Sequence, residues 1–415
     1  MSPLGIVVLI VLIDLLGFTV VMPLLAPFAE QYGFRERQIG LLFSAYPLCQ
    51  LIAGPILGRM SDRYGRRPIL IFSQAGTALS FLILGLSRNF TVMLLARMLD
   101  GASGGNILVA QAYVADVTTP ENRSRGMGLI GMAFGLGFVL GPLLGGVLVS
   151  LPIAEDWRLR LPFLVAAGFS TLAWILVLSR LPESRPLGAR NRESARVLSR
   201  RGLVDTMTLP GIGQLMLLGF LSVLAFAALE GTLSLYLRRR MDWNARSAAF
   251  VFAGLGLLSA LVQGGLIRRL VPRFGEPRLI GAGIAIVALG FAGLALASGA
   301  LELAGAIVLV GVGQGLVGPS VSGLLSRITP ASEQGAVFGT LSSAQTLARM
   351  ISYSTANLLL GRVSTAAPYW FGFWVYLAAG LAAMRFMTHL RLHLEKRQPA
   401  GATPAGQDTN LVMRE

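Results

Sequence analysis

The sequence predicts an all-α polytopic membrane protein made of two pseudo-symmetric six-helix bundles, and three observations carry this. The 415 residues are 54% hydrophobic and 13% charged. That is about half of the roughly 25% charge found in soluble domains, too little polar surface to cover a water-soluble core. Apolar runs near the roughly 20 residues needed to cross a bilayer recur about twelve times between charged punctuation. The second half also repeats the first 210 residues on. Arg63-Tyr64-Gly65 returns as Arg273-Phe274-Gly275, Thr119-Pro120 as Thr329-Pro330, and Gly101 as Gly311.

In chain order, the first bundle (1–181) has expected spans near 5–29, 39–58, 68–87, 91–115, 126–150 and 161–180. A polar, arginine-rich linker over 182–210 follows. The second bundle (211–390) has spans near 211–236, 247–267, 278–298, 301–325, 336–360 and 367–389. A tail over 391–415 is expected to be disordered. The first run, Ile6 to Phe28, is too long for a cleavable signal and carries an acid, Asp14, mid-span. The second and third are tied as a hairpin by the charged turn Gly58 to Pro68, which cannot sit in hydrocarbon. The fourth carries Arg97 and Asp100 and ends near Asp116. The fifth carries Gly137, Gly141 and Gly145 with Pro142. The seventh holds Glu230 and the eleventh Arg349. Gly313, Gly315, Gly318 and Pro319 predict a bend in the tenth.

Net charge is +15, yet a nucleic-acid partner is not the expectation. The arginines gather at alternate loops: Arg59 to Arg67, Arg123 and Arg125, Arg180 to Arg201, Arg268 to Arg278, and the tail. This is the positive-inside distribution, and it places those loops and both termini in the cytoplasm. One loop disobeys, with Arg238, Arg239, Arg240 and Arg246 on the outer side. Cys49 is the only cysteine, so no intrachain disulfide or cysteine metal cluster is expected. His389 and His393 read as solvated residues rather than metal ligands. No phosphate-binding loop for a nucleotide is present, and no cofactor is expected.

The Gly58 to Pro68 turn resembles the helix 2–3 signature of the major facilitator superfamily. Leu94 to Gly101, centred on Arg97, resembles the superfamily's fourth-helix motif. Gly137 to Gly146 resembles its fifth-helix antiporter motif, typical of drug:proton exporters. Asp14 with Met22-Pro23 is similar to the first helix of tetracycline-type efflux proteins. The resemblance spans nearly the whole chain. It implies a major-facilitator-type fold and a secondary transporter, not an enzyme, in a bacterial inner membrane. Asp62, Arg63, Arg66 and Arg67, with Gly58, Gly65 and Asp116, would be a gate that clamps the halves on the cytoplasmic side. Arg97 would couple protonation to conformation.

Charges inside the membrane are costly, about 2.5–3.5 kcal/mol for an acid at the bilayer centre on insertion scales, so each is a candidate. The repeat sharpens this. Asp62, Arg97, Asp100 and Asp116 correspond to Pro272, Ile307, Val310 and Ser326, so these charges are not demanded by the repeated architecture. Asp14 is the expected proton site and is also expected at the substrate cavity, against a structural ion pair or hydrogen bond. Glu230 is a second proton site or the anchor of a cationic substrate, against a hydrogen-bonded residue at the outer mouth. Arg97 and Asp100, three residues apart, share a helix face and pair, as a relay or as a static couple. Arg349 meets an anionic group or completes a pair across the cavity. Gly137, Gly141, Gly145 and Gly146 with Pro142 form a tight interface, either pure packing or a barrier to proton leak. Gln50, Asn106, Gln111, Gln314, Gln345 and Tyr353 are polar at membrane depth and are expected at the substrate cavity.

The expectation is proton-coupled export of a small amphipathic or cationic compound by alternating access, from a lipid-embedded monomer. Proton-coupled uptake of a nutrient is the first alternative, and a non-transporting receptor or scaffold the second. The partners expected are a small molecule and protons, with no nucleic acid.

Overall fold

A computed structural model describes residues 2–184, 211–330 and 333–397, except the side chains of 120, 121, 123, 124 and 386–397. The expected linker lies almost wholly outside the described residues, as do the side chains of Arg123, His389 and His393. The first half comprises α1 (Pro3–Val21), α2 (Leu25–Glu30), α3 (Glu36–Tyr64), α4 (Arg66–Leu86), α5 (Phe90–Ser103), α6 (Asn106–Val117), α7 (Pro120–Leu148), α8 (Glu155–Arg158) and α9 (Leu161–Arg180). The second comprises α10 (Ile212–Met241), α11 (Ala245–Leu261), a π segment (Val262–Leu266), α12 (Ile267–Phe274), α13 (Glu276–Leu296), α14 (Ala300–Ile328), α15 (Gln334–Arg362) and α16 (Ala367–Arg397). There is no strand among the described residues.

Ten described helical segments are long and apolar enough to cross a bilayer. With α15 and α16 they make the twelve expected. Helix α15 is the more polar, since it carries Gln345, Arg349, Tyr353 and Asn357. Large apolar side chains such as Ile52, Phe72, Leu79, Leu95, Leu289 and Trp374 lie on the outside. In water such a surface would aggregate. In a bilayer it is the lipid-facing belt, and the chain is an integral membrane protein.

Local chemistry explains where the helices start and break. Ser2 Oγ accepts from Gly5 N at the start of α1, with Pro3 in the first turn. Asn89 Oδ1 caps α5, and Asn244 Oδ1 caps α11. Pro23 lacks a backbone donor, and the first run breaks there into α1 and α2. Gly104-Gly105 divides the expected fourth span into α5 and α6. Gly65, at φ 104°, turns α3 into α4 within one residue, and Gly275, at φ 76°, does the same at the equivalent point of the repeat. The tenth span runs on through Pro319 as one continuous helix, α14. Two of its glycines serve close packing: Gly313 lies against the Gly283 carbonyl, and Gly315 against Val262. Helix α16 continues to Arg397, beyond the bundle boundary drawn at 390.

Packing follows the repeat. Within the first half α1 packs on α7 and α9, α4 on α9 and α5, and α3 on α5. Each has its counterpart in the second half: α10 on α15 and α16, α13 on α16 and α14, and α11 on α14. The halves touch mainly where α3 meets α15 and α7 meets α11, a pair of contacts related by the same pseudo-symmetry.

Candidate functional site

Between the halves lies a cavity of about 970 Å³. Its wall draws on α1, α3, α4, α5, α6 and α7 from one side and α15 from the other. One end is closed by contacts between the halves. Ser44 Oγ donates to Met350 O at 2.8 Å and shares a 2.8 Å hydrogen bond with Ser354 Oγ. Ser234 Oγ donates to Pro23 O at 2.6 Å. The arginines that break the loop-charge rule are here. Arg238 pairs with Glu30 at 2.9 Å, and Arg239 with Glu36 at 2.6 Å and Glu30 at 3.5 Å. Arg240 donates to Ala297 O. Arg238 and Arg239 thus meet carboxylates of the other half, whereas Arg240 is held within its own half and Arg246 lies 5.7 Å from the Phe250 ring centroid. At the opposite end the cavity wall reaches Gly58, Arg59, Asp62 and Arg66 of the α3–α4 hairpin, and Gly335 and Ala336 of α15.

Asp14 stands in the wall on α1. Its Oδ2 accepts from Asn106 Nδ2 at 3.0 Å, while its Oδ1 is buried without a hydrogen-bond partner. Gln74 of α4 is a further close neighbour. It is fully buried, and sequence reading had passed it over. Arg97 and Asp100 pair at 2.8 Å, each side chain 4% exposed. The guanidinium also donates to Leu42 O and lies 4.9 Å from the Tyr46 ring centroid. Thr77 of α4 flanks Asp100. Gln50 Nε2 donates to the Tyr46 hydroxyl at 3.0 Å and to Gly104 O at 3.2 Å, so it braces the break between α5 and α6 as well as lining the cavity. Gln111, Gln345, Arg349 and Tyr353 are in the wall too.

Two residues expected at the cavity are elsewhere. Gln314 is not in its wall, and its Oε1 accepts from the Tyr376 hydroxyl at 3.0 Å inside the second bundle. Glu230 is also behind the wall, with its side chain 5% exposed. Its Oε2 accepts from the Tyr353 hydroxyl at 3.0 Å and lies 3.7 Å from Arg349 Nε. An anionic anchor for a cationic substrate would need Glu230 at the surface of the cavity. What reaches that surface in this half is the cation, Arg349, 34% exposed.

The gate residues form one cluster at the open end. Arg66 pairs with Asp62 at 2.8 Å and Asp116 at 2.9 Å, and donates to Ser61 Oγ. Arg67 donates to Leu178 O, and Arg63 lies 5.3 Å from the Tyr64 ring centroid. These arginine contacts stay within the first half, and the halves are clasped at the other end. Sequence reading missed Glu183. It accepts from the backbone N–H groups of Arg66 and Arg67 at 2.8 and 3.1 Å, an acid at the positive end of α4. Its position just after α9 is visible in the sequence, but not its reach to residue 66.

The glycine face of α7 is a packing surface against α1. Thr19 Oγ1 donates to Gly137 O at 2.8 Å, and a side chain at Gly141 would collide with Thr19. Gly145 approaches Val20 O. Gly146 instead faces Phe250 of α11, across the boundary between the halves.

The family model described as Major Facilitator Superfamily matches residues 7–352 and 268–412. The class B tetracycline resistance protein of Escherichia coli is 29% identical over 387 residues, covering 91% of this chain and 92% of that one. The crystal structure of the human organic anion transporter MFSD10 (TETRAN) has a TM-score of 0.69 at 27% identity, covering 92% of this chain and 98% of that one. In fold alone, a bacterial homologue of the human lysosomal transporter Spinster, inward-facing and unoccupied, has a TM-score of 0.74 at 17% identity, covering 96% and 98%. These are the family and fold of transporters, not of enzymes. The chain belongs to the major facilitator superfamily, and its relatives set it beside the drug-efflux group.

Proposed function

We propose that the chain is a proton-coupled exporter of a small amphipathic compound, working by alternating access. The observation that carries this is Asp14: a carboxylate in the wall of an inter-half cavity, with one buried oxygen left without a partner. Such a group can take a proton or a cationic substrate but not both, and that competition is the basis of antiport. Arg97 supplies a relay, since protonation of Asp14 or Asp100 changes which carboxylate the guanidinium favours. Inward proton movement down −100 mV supplies about 2.3 kcal/mol per proton.

The distribution of arginines supports a bacterial inner membrane with both termini cytoplasmic, and hence a cavity reaching the cytoplasmic side. The α3–α4 cluster then becomes the clasp of the opposite state. One chain holds both halves, which supports action as a monomer. The relatives named for tetracycline resistance support export. A second reading, uptake or movement of an organic anion together with a proton, has Arg349 in its favour, and the similar human protein is described as an organic anion transporter.

Internal pH in proteoliposomes, followed while tetracycline-like, cationic, anionic and neutral amphipathic compounds are added, separates the two. Proton movement opposite to the compound, abolished by Asp14→Asn in protein that still folds, is the expected result. Movement in the same direction overturns export. Retained uphill transport in Asp14→Asn removes Asp14 from the mechanism.

A further inference from the structure

We infer that Asp14 has a second face, toward a closed, water-holding chamber inside the first bundle, and that it exchanges its proton with this chamber while cargo covers its front. This rests on the transport reading above and adds a route for the proton. The chamber walls are polar atoms at the centre of the bundle. Asp14 Oδ1, Ser73 Oγ, both amide atoms of Gln74, Asn106 Oδ1, Ser170 Oγ and Trp174 Nε1 are buried with no hydrogen-bond partner among the described residues. They stand on α1, α4, α6 and α9, and α1 and α4 each pack on both α6 and α9. Asp14 and Asn106 also line the cargo cavity, whereas Ser73, Gln74, Ser170 and Trp174 do not. Asp14 and Asn106 are therefore the partition, and the rest stand behind it.

The repeat shows how these side chains meet, and that the architecture does not require them. Their counterparts 210 residues on are Leu224, Gly283, Ile284, Leu316, Gly380 and Met384, none of them polar. The register holds between the halves: Ser80 donates to Ala96 O, and its counterpart Gly290 lies against Ala306 O. In the second bundle a side chain at Gly380 would touch Ile284, and one at Gly283 would touch Leu316. The same register sets Ser170 beside Gln74 and Ser73 beside Asn106, and Gln74 is a close neighbour of Asp14. The cores differ accordingly. The second bundle has one apolar cluster, which runs through Ile284. In the first, Phe81, Phe163 and Ala166 cluster toward the closed end, and Leu70, Ala173 and Val177 cluster separately toward the open end. The polar layer comes between.

Water fits this set of atoms and a metal cation does not. Buried polar groups are almost always partnered, and an internal water makes about three hydrogen bonds to such groups. Here the acceptor oxygens of Asp14, Gln74 and Asn106 meet the donors Gln74 Nε2 and Trp174 Nε1, with serine hydroxyls able to act as either. Water serves both kinds, whereas hard cations take oxygen ligands. A back route also lets exchange proceed. If proton and cargo reached Asp14 by one opening, bound cargo would block the proton that must displace it. From behind, a hydronium ion gives its proton to Oδ1, one O–H bond forming as another breaks, and water remains. Gln74 and Ser170 position that water and touch no cargo.

The test is infrared spectroscopy of the protein in lipid at acidic pH, with no cargo present. The carboxyl stretch of protonated Asp14 is identified by its loss in Asp14→Asn, and its shift in heavy water times the exchange of its proton. A bulky maleimide on Ser343→Cys, in a Cys49→Ala background, plugs the cavity. Gln74→Ile/Ser170→Ala fills the chamber, copying the apolar counterpart Ile284. The plug alone should leave the exchange rate unchanged. Plug and filling together should slow it by about tenfold or more, the weight of one lost hydrogen bond to a charged group. Gln74→Asn/Ser170→Thr, which keeps the polar groups, should exchange like the native chain with the plug in place. A water stretch that moves in heavy-oxygen water should be present in the native chain and vanish in the filled variant. Slowing by the plug alone, fast exchange with both changes, or a water band that is missing from the native chain or survives filling overturns the inference. Proton movement with the compound panel judges the transport reading separately.

Discussion

Reversing one charge at the closed end, by Arg239→Glu, should loosen the clasp between the halves. Arg239 contributes two of the three ion pairs there, to Glu36 at 2.6 Å and to Glu30 at 3.5 Å. All the side chains involved are partly exposed, from 23% for Glu30 to 55% for Arg238. Exposed pairs contribute about 0.2–1 kcal/mol each, and like charges cost a similar amount. Losing two pairs and creating two repulsions therefore moves the balance by roughly 1–2 kcal/mol, a factor of about 5–30 between states. Neutral contacts such as Ser234 to Pro23 and Ser44 to Met350 remain, so the fold holds. The assay is labelling by a membrane-impermeant maleimide applied from the closed side. The reporter is Ser343→Cys in the cavity wall, in a Cys49→Ala background that removes the single native cysteine. Labelling should speed up about 5–30-fold, and adding Glu36→Arg should slow it again. An unchanged rate in Arg239→Glu, or no slowing in the swapped pair, would refute the clasp.

Two further outcomes follow from packing and buried charge. Arg97→Gln leaves Asp100 enclosed without its partner, a loss of about 3–5 kcal/mol, whereas Arg97→Leu/Asp100→Leu should recover most of it. Thermal unfolding in detergent decides, and a double variant no more stable than the single one sinks the argument. Gly141→Val drives a side chain into Thr19 where α7 meets α1 and should cost about 1–3 kcal/mol. Gly135→Ala, which meets nothing within 4 Å, is the control. Equal melting temperatures for the two would show that the glycine face does not hold these helices together.

Features that depend on neighbours along the chain were legible. The spacing of Arg97 and Asp100 places them on one helix face, and they pair at 2.8 Å. The charged Gly58 to Pro68 segment marks a membrane face because its charges exclude it from hydrocarbon, but the turn itself is Gly65 alone, at positive φ, with residues 58–64 continuing α3 and Arg66 already opening α4. Facing was not legible. In water a helix marks its buried side by amphipathic periodicity, but in lipid both sides are apolar. Nothing in the seventh span told whether Glu230 looks into the cavity or away from it, and a rotation of one residue, about 100°, reverses the answer. The same holds for Gln314. Glu36 and Arg239 both lie outside the expected spans, but 203 residues separate them and nothing local pairs them.

The sequence by itself determined the solvent, the number of spans, the two-fold repeat and the kinds of charge placed inside the membrane. Composition, run length and internal similarity are local properties of the chain. The tertiary structure alone decided which charges share a cavity, which pair behind its wall and which end of the molecule is closed. Those depend on helix rotation and on contacts between halves, where chemical partners from distant parts of the chain meet only after both bundles have packed.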